Sequence, residues 1–299
     1  MRADEFDDGP LSEADDPAGA AESADAAAAR ADGAVARAGA TARADAAPAH
    51  ADVAAARAAA ARAAAARLEP GTTIGLGSGR AVAAVIDEAA RRWPEGPPLL
   101  AAVASSATDR LARAAGFAVV SLDDLDLKRG TSGPARSTAL LDLVIDGADE
   151  VDPQLDLLKG GGGALLRERL LADAARRFLI VIEDEKLVDR LGEQHALPVE
   201  IVRFGWRQTR RRILRLLPEA RLRHGDDGRA FVTDEGHFIV DCDLPAGGGE
   251  GLAGEGLAAL AAALKALPGV VDHGLFLGMA DEVVVGRPDG GVETRVRGA

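Results

Sequence analysis

The sequence predicts an α/β protein with a mainly parallel sheet, followed by a smaller α+β unit. Between about residues 70 and 196, short apolar runs alternate with segments of helical period, and glycines or polar residues follow each run. Such alternation is typical of a parallel, Rossmann-like sheet. After residue 196 the order changes to strand, helix, strand, strand, helix, strand, which is typical of a ferredoxin-like domain.

The first 50 residues are an Ala-rich acidic leader. They hold eleven acidic and four basic residues, a net charge of −7 out of −13 for the whole chain. The leader has no apolar run like the core of a signal peptide, and its acidic start differs from an organelle transit sequence. Because such a composition buries little apolar surface, we expect the leader to be disordered. The missing signal peptide, together with the single cysteine of the chain, favours a cytoplasmic protein.

Composition excludes several classes of partner. The net charge has the wrong sign for a phosphate backbone, aromatic residues make up only 3% of the chain, and no apolar segment is long enough to span a bilayer. Cys242 is the only cysteine, so neither an intrachain disulfide nor a cysteine-rich metal site can form. Its alternating surroundings, FVTDEGHFIVDCDL, favour a core position in a strand over a nucleophile. The sequence thus predicts no nucleic-acid partner, no membrane and no cysteine-rich metal site.

The first strand and helix of the predicted sheet are joined by a glycine turn. An alanine-rich helix over residues 52–68 ends at a Glu-Pro-Gly stop, and TTIGLGSGRAVAAVIDEAARR then predicts a strand, a turn with glycines at 75, 77 and 79, and a helix. Glycines at a helix start let backbone N–H groups close on an anion. Arg80 stands where the dinucleotide fingerprint needs a third glycine, which disfavours a nicotinamide cofactor but offers a guanidinium to a phosphate. A tight turn that merely needs glycine is the open alternative.

Four further strands follow in the predicted sheet. LLAAVASSATDRLARAAG indicates a strand, a serine turn at 105–106 and a helix; FAVVSLDDL, residues 140–145 and FLIVIE indicate strands. Residues 129–138 have the composition of an exposed polar insertion. Lys186 lies just past the last strand. Because the carboxyl ends of parallel strands share one edge of a sheet, we expect polar residues from several strands to meet there.

The stretch from Asp146 to Glu168, DGADEVDPQLDLLKGGGGALLRE, carries the strongest chemical signal. It places three carboxylates, Asp146, Asp149 and Glu168, near Lys159 and four consecutive glycines. Taken singly, these residues have ordinary explanations as a turn, a solvated lysine and a solvent-facing glutamate. Four glycines in a row cost backbone entropy without side-chain burial in return, so something must approach that backbone closely. With the amphipathic helix predicted over residues 164–177, the combination indicates a ligand site at a strand end.

The pattern of apolar and charged residues changes beyond residue 192. LPVEIVRFGWRQTRRRILRLLP predicts a strand and a basic helix, and a strand pair, a helix at 257–267 and LPGVVDHGLFLG follow. The arginines at 210–212 either bind an anion or form a solvated helix face, which is the commoner case. The last strand, 281–286, is expected to return to the first sheet. We therefore divide the chain into a leader (1–50), a Rossmann-like catalytic domain (51–196, with 276–299 returning to it) and a ferredoxin-like α+β domain (197–275).

From about residue 57 onward the sequence resembles the A type of ribose-5-phosphate isomerase. The segments that carry the resemblance are LEPGTTIGLGSG, the serine turn near 105, DGADEVDPQLDLLKGGGGALLRE, EDEKLVDRLG, LPVEI and LPGVVDHGLF. DGADE followed by KGGGGALLRE is highly specific. The resemblance implies an enzyme that interconverts ribose 5-phosphate and ribulose 5-phosphate in the non-oxidative pentose phosphate pathway. It also implies that the enzyme needs no metal or organic cofactor and forms a homodimer or homotetramer.

The resemblance further implies roles for individual residues. Glu168 corresponds to the family's acid/base glutamate, Asp146 and Asp149 to its ligand-binding aspartates, and Lys159 to its loop lysine. The implied substrate-binding residues are Ser78, Gly79, Arg80, Ala81, Gly147, Ala148, Gly160, Gly161, Gly162, Lys186 and Arg57. Where the family has a Gly-Thr-Gly-Ser-Thr turn, this chain has Gly-Ser-Gly-Arg-Ala, with two hydroxyls lost and a guanidinium gained. Arg57 stands where the family commonly has a lysine.

Two alternatives share the broad fold. A sugar-phosphate sensor would need the phosphate loops but no base, and the joint presence of Glu168 and Lys159 argues against it. Amino-sugar phosphate deaminases and coenzyme A transferases use carboxylates differently, and neither is expected to carry DGADE together with KGGGGALLRE. We therefore favour the isomerase.

Overall fold

The computed structural model describes residues 49–129, 139–245 and 256–298. The expected leader and polar insertion lie outside the described residues, apart from one or two positions at their boundaries. The helices are α1 (Ala49–Ala65), α2 (Gly79–Arg92), α3 (Ser106–Ala114), α4 (Leu122–Arg129), α5 (Leu165–Asp173), α6 (Trp206–Ile213) and α7 (Gly256–Lys265). In the described ranges, no helix is both long and apolar enough to cross a membrane.

The strands form three sheets. They are β1 (Thr73–Leu76), β2 (Leu100–Val103), β3 (Ala118–Val119), β4 (Leu143–Asp146), β5 (Glu150–Val151), β6 (Leu157–Leu158), β7 (Phe178–Glu183), β8 (Leu197–Ile201), β9 (Ala220–Leu222), β10 (Phe238–Cys242), β11 (Val270–His273), β12 (Leu275–Phe276), β13 (Glu282–Gly286) and β14 (Val292–Val296).

The largest sheet has the strand order β14-β13-β7-β4-β1-β2-β3. All neighbouring strands in it are parallel except β13 and β14, which are antiparallel. β4 and β7 are buried along their whole length, because apolar side chains cover both faces of the sheet. Alanines of α1 and apolar residues of α2 share the core on one face. The predicted parallel α/β sheet is confirmed.

The second sheet has the order β11-β8-β10-β9, and each neighbouring pair in it is antiparallel. Apolar side chains of α6 and α7 share a core with Val199, Ile201 and Cys242 of this sheet. The arrangement is the ferredoxin-like one that the order of elements predicts. Cys242 is buried in this core, as its alternating sequence pattern predicts.

A third sheet lies within the carboxylate and glycine stretch, and the sequence did not predict it. β6 pairs antiparallel with β5 on one side and with β12 on the other. The Lys159 amide extends this contact by donating to the Gly274 carbonyl oxygen at 2.9 Å. After β11 of the second sheet, the chain thus passes through β12, next to the candidate site. It then forms β13, which pairs in parallel with β7.

Three local predictions were wrong, and one strand was missed. Residues 122–125, expected to end a strand, open α4, where the Ser121 hydroxyl accepts a hydrogen bond from the Asp124 amide at 3.0 Å. α5 ends at Asp173 rather than near residue 177, since the chain there turns to pair with the segment before β4. Residues 233–237 form a turn rather than continuous strand. β14 was missed because its half-exposed edge residues lack an apolar run.

Candidate active site

The carboxyl ends of β1 and β4 meet at Asp146, the last residue of β4, whose side chain is buried. Its Oδ1 accepts hydrogen bonds from the Ser78 amide at 3.1 Å and from the Gly147 amide at 2.8 Å. Gly77 makes room for the carboxylate, because a Cβ at that position would lie 1.9 Å from Asp146 Cγ. The glycine turn after β1 is therefore required in part by Asp146 itself.

Lys159 and Glu168 complete a buried charged cluster with Asp146. Lys159 follows β6, and its Nζ lies 3.0 Å from Asp146 Oδ2 and 3.1 Å from Glu168 Oε2. The same ammonium donates to the Gly147 carbonyl oxygen at 2.5 Å. Glu168 lies in the first turn of α5, where its Oε1 accepts from the Ser78 hydroxyl at 2.6 Å. The end of β4 and the start of α5 thus converge on the ammonium group of Lys159.

Burial and neighbouring charges shift the pKa values of Asp146 and Lys159. Burial raises the pKa of Asp146 to about 7, and the negative charge of Glu168 adds to this effect while Lys159 opposes it. Burial alone would lower the pKa of Lys159, but the charges of Asp146 and Glu168 raise it overall. Lys159 therefore stays cationic at neutral pH, and Asp146 titrates within the physiological range.

Two carboxylate oxygens in the cluster are buried without a hydrogen-bond donor from the described residues: Asp146 Oδ2 and Glu168 Oε2. The Lys159 ammonium is close to both, but it is not aligned for a full hydrogen bond to either. Buried oxygens in this condition are costly unless a ligand or water satisfies them. The cluster is therefore suited to receive hydroxyl groups of a bound molecule.

Asp146 should make the folding stability depend on pH. Its folded-state pKa of about 7 lies above the ordinary value of 3.8, so its contribution is fully present below about pH 4 and is lost as pH rises through 7. We expect the free energy of unfolding of Asp146→Asn, measured in urea at pH 5 and pH 8, to fall less between these pH values than that of the wild type. An equal fall in both proteins would show that Asp146 titrates normally.

The glycine loop, residues 160–163, is held by hydrogen bonds on two sides. Asp149 is half-buried, and its Oδ2 accepts from the Gly161 amide at 2.8 Å. Gly160 has a φ of +104°, a backbone conformation that favours glycine. From the second sheet, Arg223 Nη1 donates to the carbonyl oxygens of Gly160 and Gly161 at 2.8 and 2.9 Å. Sequence reasoning missed Arg223, since no local pattern indicates that it lies beside this loop.

The predicted phosphate-binding residues lie around the start of α2. Ser78 precedes α2, but its hydroxyl is directed to Glu168, as described above. Gly79 and Arg80 are exposed in the first turn, whereas Ala81 is buried and lies near Gly147. This side of the site therefore offers an exposed helix start with one guanidinium next to it.

Lys186 and Arg57 lie on the same side of the sheet edge and share one acidic partner. Lys186 follows β7, and its Nζ donates to the Ala148 carbonyl oxygen at 2.8 Å. It is also 3.7 Å from Glu183 Oε2, while Arg57 forms an ion pair with Oε1 of the same buried carboxylate. The two predicted cations are thus positioned by Glu183, which the sequence analysis had not singled out.

Glu150 is a second acidic residue that the sequence analysis did not single out. It is buried, and its carboxylate accepts hydrogen bonds from the amides of Gly192, Gln194 and His195 at 2.5 to 2.7 Å. Burial alone would raise the pKa of Glu150, but these bonds and the His195 side chain lower it overall. Glu150 therefore anchors the loop after Lys186. The only sequence signal was its position directly after Asp149.

The fold and the charged cluster define an α/β enzyme with acid/base groups at the carboxyl edge of a parallel sheet. The chain belongs to the ribose 5-phosphate isomerase A family. The family's sequence profile, described as ribose 5-phosphate isomerase A (phosphoriboisomerase A), matches residues 101–290. The resemblance that the sequence motifs indicated is confirmed.

Relatives cover most of the described chain. The ribose-5-phosphate isomerase A of Chloroflexus aurantiacus is 42% identical over 227 residues, which are 75% of this chain and 87% of that protein. A probable ribose-5-phosphate isomerase 2 of Arabidopsis thaliana is 38% identical over 225 residues, 73% of this chain and 78% of that protein.

Solved structures agree with the fold. The ribose 5-phosphate isomerase of Plasmodium falciparum matches with a TM-score of 0.70 at 28% identity, covering 81% of this chain and 98% of that chain. A D-ribose-5-phosphate isomerase in complex with phospho-erythronic acid matches with a TM-score of 0.71 at 30% identity, covering 82% and 99%.

Proposed function

We propose that the protein interconverts D-ribose 5-phosphate and D-ribulose 5-phosphate through an enediolate, with Glu168 as the general acid/base. The observation that carries this proposal is the buried cluster of Asp146, Lys159 and Glu168. Its ammonium lies 3.0 and 3.1 Å from one oxygen of each carboxylate, and neither oxygen has an aligned hydrogen-bond donor among the described residues. A sensor of the same fold would have no need for such a costly group of buried charges.

The proton transfer follows from the position of Glu168. Its Oε1 is held by the Ser78 hydroxyl, which leaves Oε2 as the oxygen that takes the C2 proton and returns it to C1. The aldehyde oxygen on C1 gains a proton and the C2 hydroxyl loses one, so atoms and charge balance. Lys159 stabilises the negative charge that develops on these two oxygens. A positioned base of this kind contributes about 10²- to 10⁴-fold in rate.

The two aspartates take supporting roles. A pKa of about 7 lets Asp146 both accept and donate a proton at neutral pH, which suits opening of the sugar ring and proton exchange between O1 and O2. Asp149 lies on the other side of the glycine loop and orients a hydroxyl farther along the sugar. Gly147 and Ala148 line the turn between the two aspartates.

The phosphate is placed at the start of α2. The amide groups of Gly79 and its neighbours, the Arg80 guanidinium and the Lys186 ammonium offer positive charge there, and Arg57 supports Lys186 through their shared Glu183. Binding energy from this distant group helps to align the carbons that react. By family membership we further propose a role in the pentose phosphate pathway, a homodimer or homotetramer and a cytoplasmic location.

The test is ribulose 5-phosphate formation from ribose 5-phosphate by the purified full-length protein. We expect turnover that persists when a metal chelator is added, and binding of phospho-erythronic acid that competes with substrate. Absence of turnover, with binding of sugar phosphates retained, would overturn the isomerase and favour a sensor. Turnover lost on chelation would contradict the metal-free mechanism.

A further inference from the structure

Arg223 connects the second sheet to the glycine loop. It directly follows β9, and its guanidinium is mostly buried between the loop and Asp241 of β10. Nε and Nη2 donate to the two oxygens of Asp241, while Nη1 donates to the carbonyl oxygens of Gly160 and Gly161. Every nitrogen of the guanidinium is thus engaged, and its planar fork has one orientation.

This contact helps to orient two amide N–H groups of the loop, together with the hydrogen bond from the Gly163 amide to the Gly160 carbonyl oxygen at 3.0 Å. In a trans peptide the C=O and N–H bonds point in opposite directions. In the peptide that joins Gly160 to Gly161, the carbonyl faces Arg223 and the amide faces Asp149. In the peptide that joins Gly161 to Gly162, the carbonyl also faces Arg223. The Gly162 amide therefore points away from Arg223. Within the described ranges, the Gly162 amide has no backbone or side-chain acceptor.

Gly162 lies next to the charged cluster. A Cβ on Gly162 would come within 3.9 Å of Ser78 Oγ, the hydroxyl that binds Glu168. A run of glycines has little conformational preference of its own, so the orientation of this peptide depends on its partners. The cation at the carbonyl end also polarises the peptide and strengthens its N–H as a donor.

We propose that Arg223 is a positioning residue for the isomerisation: it holds the Gly161–Gly162 peptide so that the Gly162 amide stabilises negative charge on the reacting oxygens of the sugar. The inference rests on the proposed function. Because the amide would act on charge that develops during the reaction, loss of its orientation should lower kcat more than it raises KM. The phosphate contacts, which lie elsewhere, should be unchanged.

Arg221 offers a matched control. It lies in β9, two residues before Arg223, and pairs with Asp243 and Glu219, without a hydrogen bond to the glycine loop in the described part of the chain. We expect Arg223→Lys to lower kcat by about 10- to 100-fold with KM changed less than about twofold. The dissociation constant for phospho-erythronic acid, whose carboxylate stands in for the charged oxygens, should rise about tenfold. Arg221→Lys should change none of these values.

The opposite pattern would overturn the proposal. It is wrong if Arg223→Lys raises KM alone, or if both variants lose activity equally through lost stability. Should Arg223→Lys fail to fold, Asp241→Asn keeps the arginine but loosens its anchor, and it should lower kcat at constant KM. If the wild type does not isomerise ribose 5-phosphate, the proposed function fails, yet binding of phospho-erythronic acid to the two lysine variants still tests Arg223 separately.

Discussion

Glu168→Gln is expected to reduce kcat by about 10²- to 10⁴-fold. The amide keeps an oxygen to accept the hydrogen bond from the Ser78 hydroxyl at 2.6 Å, so the side chain stays in place, but it cannot accept a proton from carbon. Binding of ribose 5-phosphate, measured by calorimetry, should be largely retained because the phosphate contacts lie elsewhere. Steady-state formation of ribulose 5-phosphate gives the rate.

Asp173→Asn provides the control for Glu168→Gln. Asp173 is the last residue of the same helix and is exposed, so the same carboxylate-to-amide change there should leave kcat near the wild-type value. Proton exchange between C1 or C2 and heavy water should fall in parallel with kcat in Glu168→Gln. Undiminished turnover or exchange in that variant would mean that another group is the base.

Lys159→Met is expected to lower both stability and turnover, and to be the most damaging of these changes to stability. The ammonium is buried between two carboxylates, so its removal leaves their charges uncompensated and should cost about 3–5 kcal/mol of unfolding free energy. Turnover should fall by about 10²- to 10³-fold, since the cation beside the reacting oxygens is gone. Urea unfolding at pH 8 measures the first effect, and kcat measures the second.

A double variant separates the two roles of Lys159. Adding Asp146→Asn to Lys159→Met removes one of the uncompensated charges, so stability should partly return while kcat stays low. Lys265→Met is the matched control: Lys265 also pairs with an aspartate, but it is half-exposed, and its loss should cost less than about 0.5 kcal/mol. If the double variant is no more stable than Lys159→Met, charge compensation is not the role of this lysine.

The charged cluster could be predicted because its parts are close in sequence. Asp146, Lys159 and Glu168 span a strand end, a glycine loop and a helix start, and the edge rule for parallel sheets brings such parts together. The small sheet around β6 could not be predicted, since two-residue strands carry no readable period. Its effect is to fix where Lys159 leaves the backbone.

Contacts between residues that are far apart in the sequence could not be predicted. Arg223 meets the glycine loop because β9 lies at one edge of the second sheet, and local patterns do not indicate how two sheets pack. The sequence likewise identified Arg57 as a cation near the turn but not its ion pair with Glu183, which lies at the end of a buried strand. The sequence thus showed which residues are charged, but not which of them form ion pairs with each other.

The position of β13 has a consequence for synthesis of the chain on the ribosome. β13 is the neighbour of β7 in the large sheet, although about 100 residues separate them in sequence. At a synthesis rate of roughly 5–20 residues per second, the edge of β7 stays unpaired for about 5–20 s until β13 has been made. An unpaired, mainly apolar strand edge is a site for wrong pairing between nascent chains. Production of this protein should therefore depend on chaperone capacity more than its final stability would suggest.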